Sequence, residues 1–252
     1  MTETIGYSLR LLDSFQLTAN PGSRSVRLPP NGRRLIALLA VVGIKERCWL
    51  AGTLWPDHRD TAAMASLRTT MWRVLREAPG LLDGDRSALG LGAVTDTDLL
   101  QLLGFIDAAL DGRPVHRTGR STVRCAGELL PGWYDDWARD ERERLRNLRV
   151  AALERLCATQ LREDNLDEAL ALAMAGVAAD PLRDSTHRLL IEVHLRQGNA
   201  SAAVLHFDRY RQLLERELGL PPSAQIRALI DEMFNGLEQT VLPVVGNGRV
   251  GS

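Results

Sequence analysis

"GELLPGWYDDWARDERERLRNLR", from Gly127 to Arg149, is the stretch that decides between an active site and a helical scaffold. Its adjacent carboxylates, Asp135 and Asp136, lie among aromatic residues, as the acids of some catalytic sites do. Catalytic carboxylate pairs face each other across a substrate, whereas neighbouring residues point apart in a helix or a strand. We therefore interpret the stretch as structural: after the Pro131-Gly132 turn, the acidic pair caps a helix and the aromatic residues pack it against its neighbours. These aromatic residues are Trp133, Tyr134 and Trp137.

The sequence that follows predicts helices arranged as a repeat. "LREDNLDEAL" begins at Leu161 and "LRQGNASAAV" begins at Leu195, with Leu, Arg, Asn and Ala at equivalent positions. The offset of 34 residues is the period of tetratricopeptide helix–turn–helix units. The second unit lacks a closing proline, so we expect its last helix to reach Leu218-Gly219 and a final helix to begin near Ser223. After Thr240 we expect a disordered tail.

The first hundred residues change period repeatedly, which predicts a small mixed domain. A strand pattern at 7–17 turns at Asp13-Ser14, and a second short strand follows it. Three helical segments come next: the first is capped by Asn31 and stopped by Gly43, the second ends at Pro56, and the third covers Thr61–Ala78. A hairpin around Asp83-Gly84 completes the order of a winged helix-turn-helix.

These patterns predict a mainly α protein in three parts. Residues 1–95 form an α+β winged helix-turn-helix domain, residues 96–240 form an all-α tetratricopeptide-like domain, and residues 241–252 form the tail. Within the second part we expect a helix over Asp98–Leu110 and a polar loop over Arg113–Ala126.

Composition indicates an ordinary globular protein without a strong overall charge. The formal net charge is -1; residues 1–100 hold 12 basic and 10 acidic side chains, and the remaining residues hold 19 and 22. We interpret the cysteines, Cys48, Cys125 and Cys157, as reduced, buried thiols. No signal peptide is recognisable, and the longest apolar run, Leu35–Ile44, is about half a membrane span. We therefore expect a cytoplasmic protein without membrane contact.

Catalytic and metal-binding patterns find no support in the sequence. His187 and His194 lie two turns apart on one predicted helix, without a cysteine or carboxylate at metal-ligand spacing. There is no G-x-S-x-G sequence, no Walker A loop and no G-x-G-x-x-G sequence. We expect neither an enzyme nor a cofactor or metal.

The third helical segment, "TAAMASLRTTMWRVLREA", carries the main functional prediction. A helical wheel gives it an apolar face for the domain core, composed of Met64, Leu67, Met71, Val74, Leu75 and Ala78. The other face combines arginines, which can pair with guanine, and hydroxyls, which can reach phosphates; the alternative is a solvated amphipathic helix. The residues predicted for the major groove are Ser66, Arg68, Thr69, Thr70, Trp72, Arg73 and Arg76. Weaker candidates for phosphate contacts are Arg33, Arg34, Arg59 and Arg86.

Together these motifs resemble the Streptomyces antibiotic regulatory protein family over Tyr7 to about Leu237. "GELLPGWYDDWARDERERLRNLRVAALERL" and "ELGLPPSAQIRALI" are similar to the start and end of that family's bacterial transcriptional activator domain. "LAGTLWPD" and "SLRTTMWRVLREA" resemble the second helix and the recognition helix of its OmpR-like winged helix. The chain departs from the family in three places: Lys45-Glu46 replaces a polar cap, Trp72 replaces a small residue, and the wing has one arginine, Arg86.

The resemblance implies a transcriptional activator specific for a secondary-metabolite (antibiotic) gene cluster. Such proteins bind direct repeats in double-stranded DNA as side-by-side protomers and contact RNA polymerase holoenzyme. Larger members append an ATPase, and we expect no nucleotide gating within this chain. Two alternatives stay open: a helical protein-interaction module with weak or no specific DNA binding, and a small-molecule sensor that uses the concave face of the helical half.

Overall fold

The computed structural model describes residues 6–92, 94–113 and 127–241. The predicted tail, except Val241 at the end of the last helix, and nearly all of the predicted polar loop, with Cys125, lie outside these residues. Contacts divide the chain into two compact units, Met1–Leu148 and Arg149–Ser252. The predicted domain boundary after residue 95 stays a proposal. Within the described ranges, no helix is long and apolar enough to cross a membrane.

The first unit combines two small sheets with a group of helices. Its main sheet has the order β3-β2-β1-β7, in which β1 is antiparallel to β2 and parallel to β7. In chain order the elements are β1 (Gly6–Arg10), β2 (Gln16–Asn20), β3 (Arg24–Ser25), α1 (Pro30–Val42), β4 (Lys45–Glu46), α2 (Arg47–Leu54), α3 (Asp60–Glu77), β5 (Leu82–Gly84), β6 (Ala88–Leu91), β7 (Val94–Thr97) and α4 (Asp98–Leu110).

The three predicted helices and the predicted hairpin are confirmed as α1 to α3 and β5–β6. The hairpin belongs to a second sheet of order β4-β6-β5, which makes it the wing of a winged helix-turn-helix. The predicted cap at Asn31 is wrong, because the cap lies two residues earlier: Pro29 is the N-cap and Pro30 is the first helical residue. Proline suits that position since its fixed φ is already helical and its missing N–H has no acceptor there. Gly43 ends the helix as predicted.

The segment just before the helix that begins at Asp136 is bonded to the first strand of the first unit. Leu12 and Leu129 form an isolated antiparallel bridge, and the Leu130 amide donates to the Leu11 carbonyl at 2.9 Å. The Asp98 carboxylate accepts from the amides of Leu11 and Leu12 at 2.8 and 3.0 Å. These non-local bonds fix the segment around residues 128–130 beside the end of β1.

The second unit is built from helices, and the predicted repeat is confirmed. The turns at Asp164 and Gly198 both adopt left-handed backbone, with φ of 57° and 71°, and each is followed by an asparagine N-cap. The last helix of the second repeat unit ends at Gly219, also as predicted. The remaining helices are α5 (Asp136–Arg162), within which the division between the units falls, α6 (Leu166–Ala179), α7 (Asp184–Arg196), α8 (Ala200–Leu218) and α9 (Ala224–Val241).

Candidate nucleic-acid interface

Helix α3 is held on the first unit by a buried stripe that differs from the predicted one. The buried residues are Ala63, Leu67, Thr70 and Val74, continued by Ala78 after the helix. Leu75, predicted for the core, is 39% exposed. The reason is the close approach of α1: a Cβ at Gly32 would come within 3.0 Å of Val74 Cγ2. The buried stripe is therefore turned toward the side of α3 that faces α1.

The opposite face of α3 is open to solvent. It presents Arg68, Thr69, Trp72, Arg73 and Arg76 as exposed side chains, whereas Ser66 is half-buried. Trp72 is 61% exposed, although burying an indole is normally favourable. The Thr69 hydroxyl donates to the Ala65 carbonyl at 3.0 Å, so it makes a bond within its own helix.

The arginines of this face differ in whether they already have a partner within the protein. The Arg76 guanidinium lies 5.0 Å from the centre of the Trp72 ring and forms an ion pair of 2.8 Å with Glu77. In the part of the chain that the structure describes, no hydrogen bond or ion pair joins Arg68 or Arg73 to another residue. These two guanidinium groups are thus free to bind an outside acceptor, while Arg76 is already partly neutralised.

The prediction that Thr70 faces the major groove is wrong. Its side chain is only 5% exposed and lines a pocket with the first residues of α1. A helical wheel drawn from the sequence gives it a flank position, and the approach of α1 at Gly32 turns that flank inward.

The four arginines predicted to contact phosphates also differ in whether they are available. Arg33, Arg59 and Arg86 are exposed, as a phosphate contact requires. Arg34 is not available, which corrects that prediction: its guanidinium forms an ion pair with Asp135 and donates to the Leu54 carbonyl at 2.8 Å. No local sequence pattern predicts this pair, because its partners are 101 residues apart.

The wing turn that presents Arg86 is shaped by Asp85. The Asp85 carboxylate accepts from the Ser87 amide and hydroxyl, both at 2.7 Å, and from the Ala88 amide at 2.8 Å. These hydrogen bonds, those of Ala88 first, lower the pKa of Asp85 to about 2. The turn therefore keeps its geometry at neutral pH.

The adjacent carboxylates Asp135 and Asp136 are both engaged in ion pairs, which supports their structural interpretation. Asp135 pairs with Arg34, and Asp136 pairs with Arg139 one turn along α5. Capping by the side chains is not observed: the Asp135 main-chain carbonyl accepts from the amides at 138 and 139. Of the aromatic residues, Trp133 packs against Phe15 and Trp137, but Tyr134 is 85% exposed and does not pack as predicted.

Other reactive side chains of the described residues have structural surroundings. His187 Nδ1 lies 2.9 Å from His206 Nε2, and the His187 ring stacks on Tyr210. Among the described residues, no group of three His, Cys, Asp or Glu is placed to hold a metal. Cys157 is buried, and burial raises its pKa to about 12, whereas Cys48 is exposed, contrary to expectation.

Comparison with known proteins finds a family match for one part of the chain. Residues 124–233 match the family described as "Bacterial transcriptional activator domain". Two relatives carry the name "Regulatory protein AfsR". The one from Streptomyces coelicolor is 28% identical over 208 residues, covering 77% of this chain and 21% of the relative. The one from Streptomyces griseus is 27% identical over 222 residues, covering 82% and 23%. The chain thus spans about a fifth of the length of these relatives.

A solved structure shares the fold. The structure described as "Mycobacterium tuberculosis EmbR in complex with low affinity phosphopeptide" matches with a TM-score of 0.67 and 18% identity, over 92% of this chain and 66% of that one. The winged helix-turn-helix followed by a helical domain is confirmed as the fold. Together the matches confirm the resemblance that the motifs predicted, and they support a transcriptional regulator.

Proposed function

We propose that this chain, a regulator of the Streptomyces antibiotic regulatory protein family, binds double-stranded DNA sequence-specifically through α3 and the wing. The observation that carries the proposal is the exposed face of α3. It joins two free guanidinium groups, Arg68 and Arg73, to the exposed indole of Trp72 on a winged helix-turn-helix. Exposed arginines on such a helix are suited to guanine edges and phosphates in the major groove.

The finer parts of the proposal rest on the family. DNA binding would activate a secondary-metabolite gene cluster, with two protomers side by side on direct repeats and the helical part in contact with RNA polymerase holoenzyme. The match of residues 124–233 to an activator domain supports this assignment. The proposal places the protein in the cytoplasm, where bacterial promoters are reached.

Iterative selection from random-sequence duplex DNA at about 0.15 M salt tests the proposal. We expect the full chain to enrich a direct repeat with about one helical turn between half-sites. Arg68→Ala should enrich a repeat whose half-sites have lost the preference at one base pair. Arg211→Ala on α8, where the side chain is also exposed, should enrich the same sequence as the wild type. Recovery of no common sequence by the wild-type chain would contradict the proposal.

Two observations favour a second candidate, a protein-interaction module without specific DNA binding. Two of the predicted DNA-binding cations, Arg34 and Arg76, form internal ion pairs. On the second unit, Met174 and Leu205 are 56% and 52% exposed, as side chains of a protein-binding surface often are. Salt dependence separates the candidates, because log K for DNA falls with log salt by about 0.9 per phosphate contact. A flat salt profile would favour the interaction module.

A further inference from the structure

A pocket of about 130 Å³ opens on the first unit between the N-terminus of α1 and the side of α3. One charged side chain, that of Arg73, belongs to its lining, and no carboxylate does. The lining residues are Pro29, Pro30, Asn31, Gly32, Thr70 and Arg73. The charge and the polar groups of the pocket therefore favour an anion.

The start of α1 directs unpaired amides toward this region. The first N–H groups of a helix have no acceptor within it, and proline removes two of them here, at Pro29 and Pro30. The first intrahelical bond is from the Arg33 amide to the Pro29 carbonyl, at 3.0 Å. The amides of Asn31 and Gly32 therefore have no acceptor within the helix, and no side chain caps them. The partial positive charge of the helix N-terminus adds to the attraction for an anion.

Thr70 supplies a second, independent observation. Its side chain is 5% exposed, and within the described part of the chain its hydroxyl has no hydrogen-bond partner. Its neighbour Thr69, by contrast, donates to the carbonyl four residues before it. Its oxygen is not among the fully buried unpaired polar atoms of the described residues, so it opens onto the pocket. An unbonded hydroxyl on a nearly buried side chain, beside a guanidinium and two amides without an acceptor, indicates an acceptor from outside the chain.

We propose that this pocket binds a phosphate group through the Asn31 and Gly32 amides, the Thr70 hydroxyl and the Arg73 guanidinium. This inference rests on the proposed function. On that function, the bound phosphate group belongs to the backbone of duplex DNA. Arg73 then fixes the position of α3 on the backbone, and base recognition is left to Arg68 and its neighbours. Free inorganic phosphate has the same tetrahedral set of acceptor oxygens, so the test includes both sources.

The first arm uses inorganic phosphate and the full chain without DNA, at constant ionic strength. We expect the backbone amide NMR signals of Asn31 and Gly32 to shift saturably in the wild-type protein. Thr70→Val has nearly the same shape but no hydroxyl, and it should weaken this binding about tenfold. Thr70→Ser should retain it, and Thr159→Val, at a half-buried helical position of the second unit, should behave as wild type.

The second arm measures the dissociation constant for a selected duplex and for a random-sequence duplex. With a backbone phosphate in the pocket, Thr70→Val weakens binding to both by about the same factor, roughly tenfold, and leaves the base preference unchanged. A phosphate-induced shift with normal DNA binding by Thr70→Val would assign the pocket to a free phosphate group. Normal behaviour of Thr70→Val in both arms overturns the proposal.

The two arms also separate this inference from the proposed function. If the wild-type chain binds no duplex, the proposed function fails, while the phosphate titration still reports on the pocket. Loss of structure is checked by thermal unfolding of Thr70→Val, which should melt no lower than the wild type because the removed hydroxyl has no partner in the folded protein.

Discussion

Single residues of α3 differ in what surrounds them, and this gives them different roles. Arg73 lies beside the first turn of α1, in a pocket lined by amides, whereas Arg68 is exposed and does not line that pocket. Arg76 is held by Glu77 and the Trp72 ring. The sequence presents these arginines as equivalent members of one face, and the packing of α1 makes them unequal.

Arg68→Ala and Arg73→Ala should therefore impair DNA binding in different ways. Without Arg68, we expect a loss of about 1–3 kcal/mol against the preferred site and a relaxed preference at one base pair. Without Arg73, we expect specific binding to be lost at physiological salt, with weaker binding to every sequence and a salt slope smaller by about one. Titrations of preferred and random duplexes at several salt concentrations measure both. Identical base preferences in wild type and Arg68→Ala would contradict this division.

Burial of His206 predicts acid sensitivity of the second unit. Burial, followed by the charges of His187 and His194, lowers the pKa of His206 from 6.5 to about 4. The unfolded chain takes up this proton first, so the free energy of unfolding is highest above pH 6.5 and falls as the pH drops toward 4. His206→Gln should reduce this dependence, which denaturant unfolding at pH 7, 5.5 and 4.5 can measure. An unchanged slope would assign the acid sensitivity to other groups.

At the scale of elements, the seating of α1 on α3 depends on the absence of a side chain at Gly32. Hydrophobic periodicity predicts α1, α3 and the hairpin with nearly correct limits. It correctly predicts that Leu67, Val74 and Ala78 are buried, but it does not predict Ala63 and Thr70, which become buried through the approach of α1. The cap at Asn31 was mispredicted for a related reason: Pro29-Pro30 fixes the start of the helix through its own φ angles.

Gly32→Ala tests this seating against a matched control. A Cβ at Gly32 would lie 3.0 Å from Val74 Cγ2 and 3.3 Å from Pro29 Cδ, and Val74 is fully buried. We expect a loss of stability of about 1–3 kcal/mol and weaker DNA binding through a displaced α3. Gly52 in α2 has no atom within 4 Å of the same position, so Gly52→Ala should stabilise the protein by about 0.5–1 kcal/mol. Equal effects of the two changes in denaturant unfolding would argue against the packing explanation.

At the scale of the whole molecule, the winged helix-turn-helix and the segment around Asp135 share one guanidinium. Arg34 donates to Asp135 and to the Leu54 carbonyl at the end of α2, and the two charged side chains are 28% and 16% exposed. Asp135 lies within residues 124–233, which match the activator domain. The sequence predicts a structural role for Asp135 and Asp136, but it also predicts Arg34 as a DNA contact, because no local pattern links positions 101 residues apart.

The neighbouring changes Asp135→Asn and Asp136→Asn should have unequal effects. Asp135→Asn leaves a half-buried guanidinium with a weaker acceptor, and we expect the protein to lose about 1–3 kcal/mol of stability. Asp136 is 85% exposed and pairs only within its own helix, so Asp136→Asn should change stability by less than about 0.5 kcal/mol. Thermal unfolding of both variants at neutral pH compares them. A larger loss of stability for Asp136→Asn than for Asp135→Asn would contradict this prediction.

The Arg34–Asp135 pair also determines how this protein can be recombined with its relatives. A chimera that takes residues 1–95 and joins them to another helical half imports Arg34 without its carboxylate and Leu12 without its bridge to Leu129. A graft that extends through residue 148 carries both partners of each contact. The exchangeable module is therefore longer than the winged domain, and recombination between such proteins would have to carry the segment around Asp135 along with helices α1 to α3.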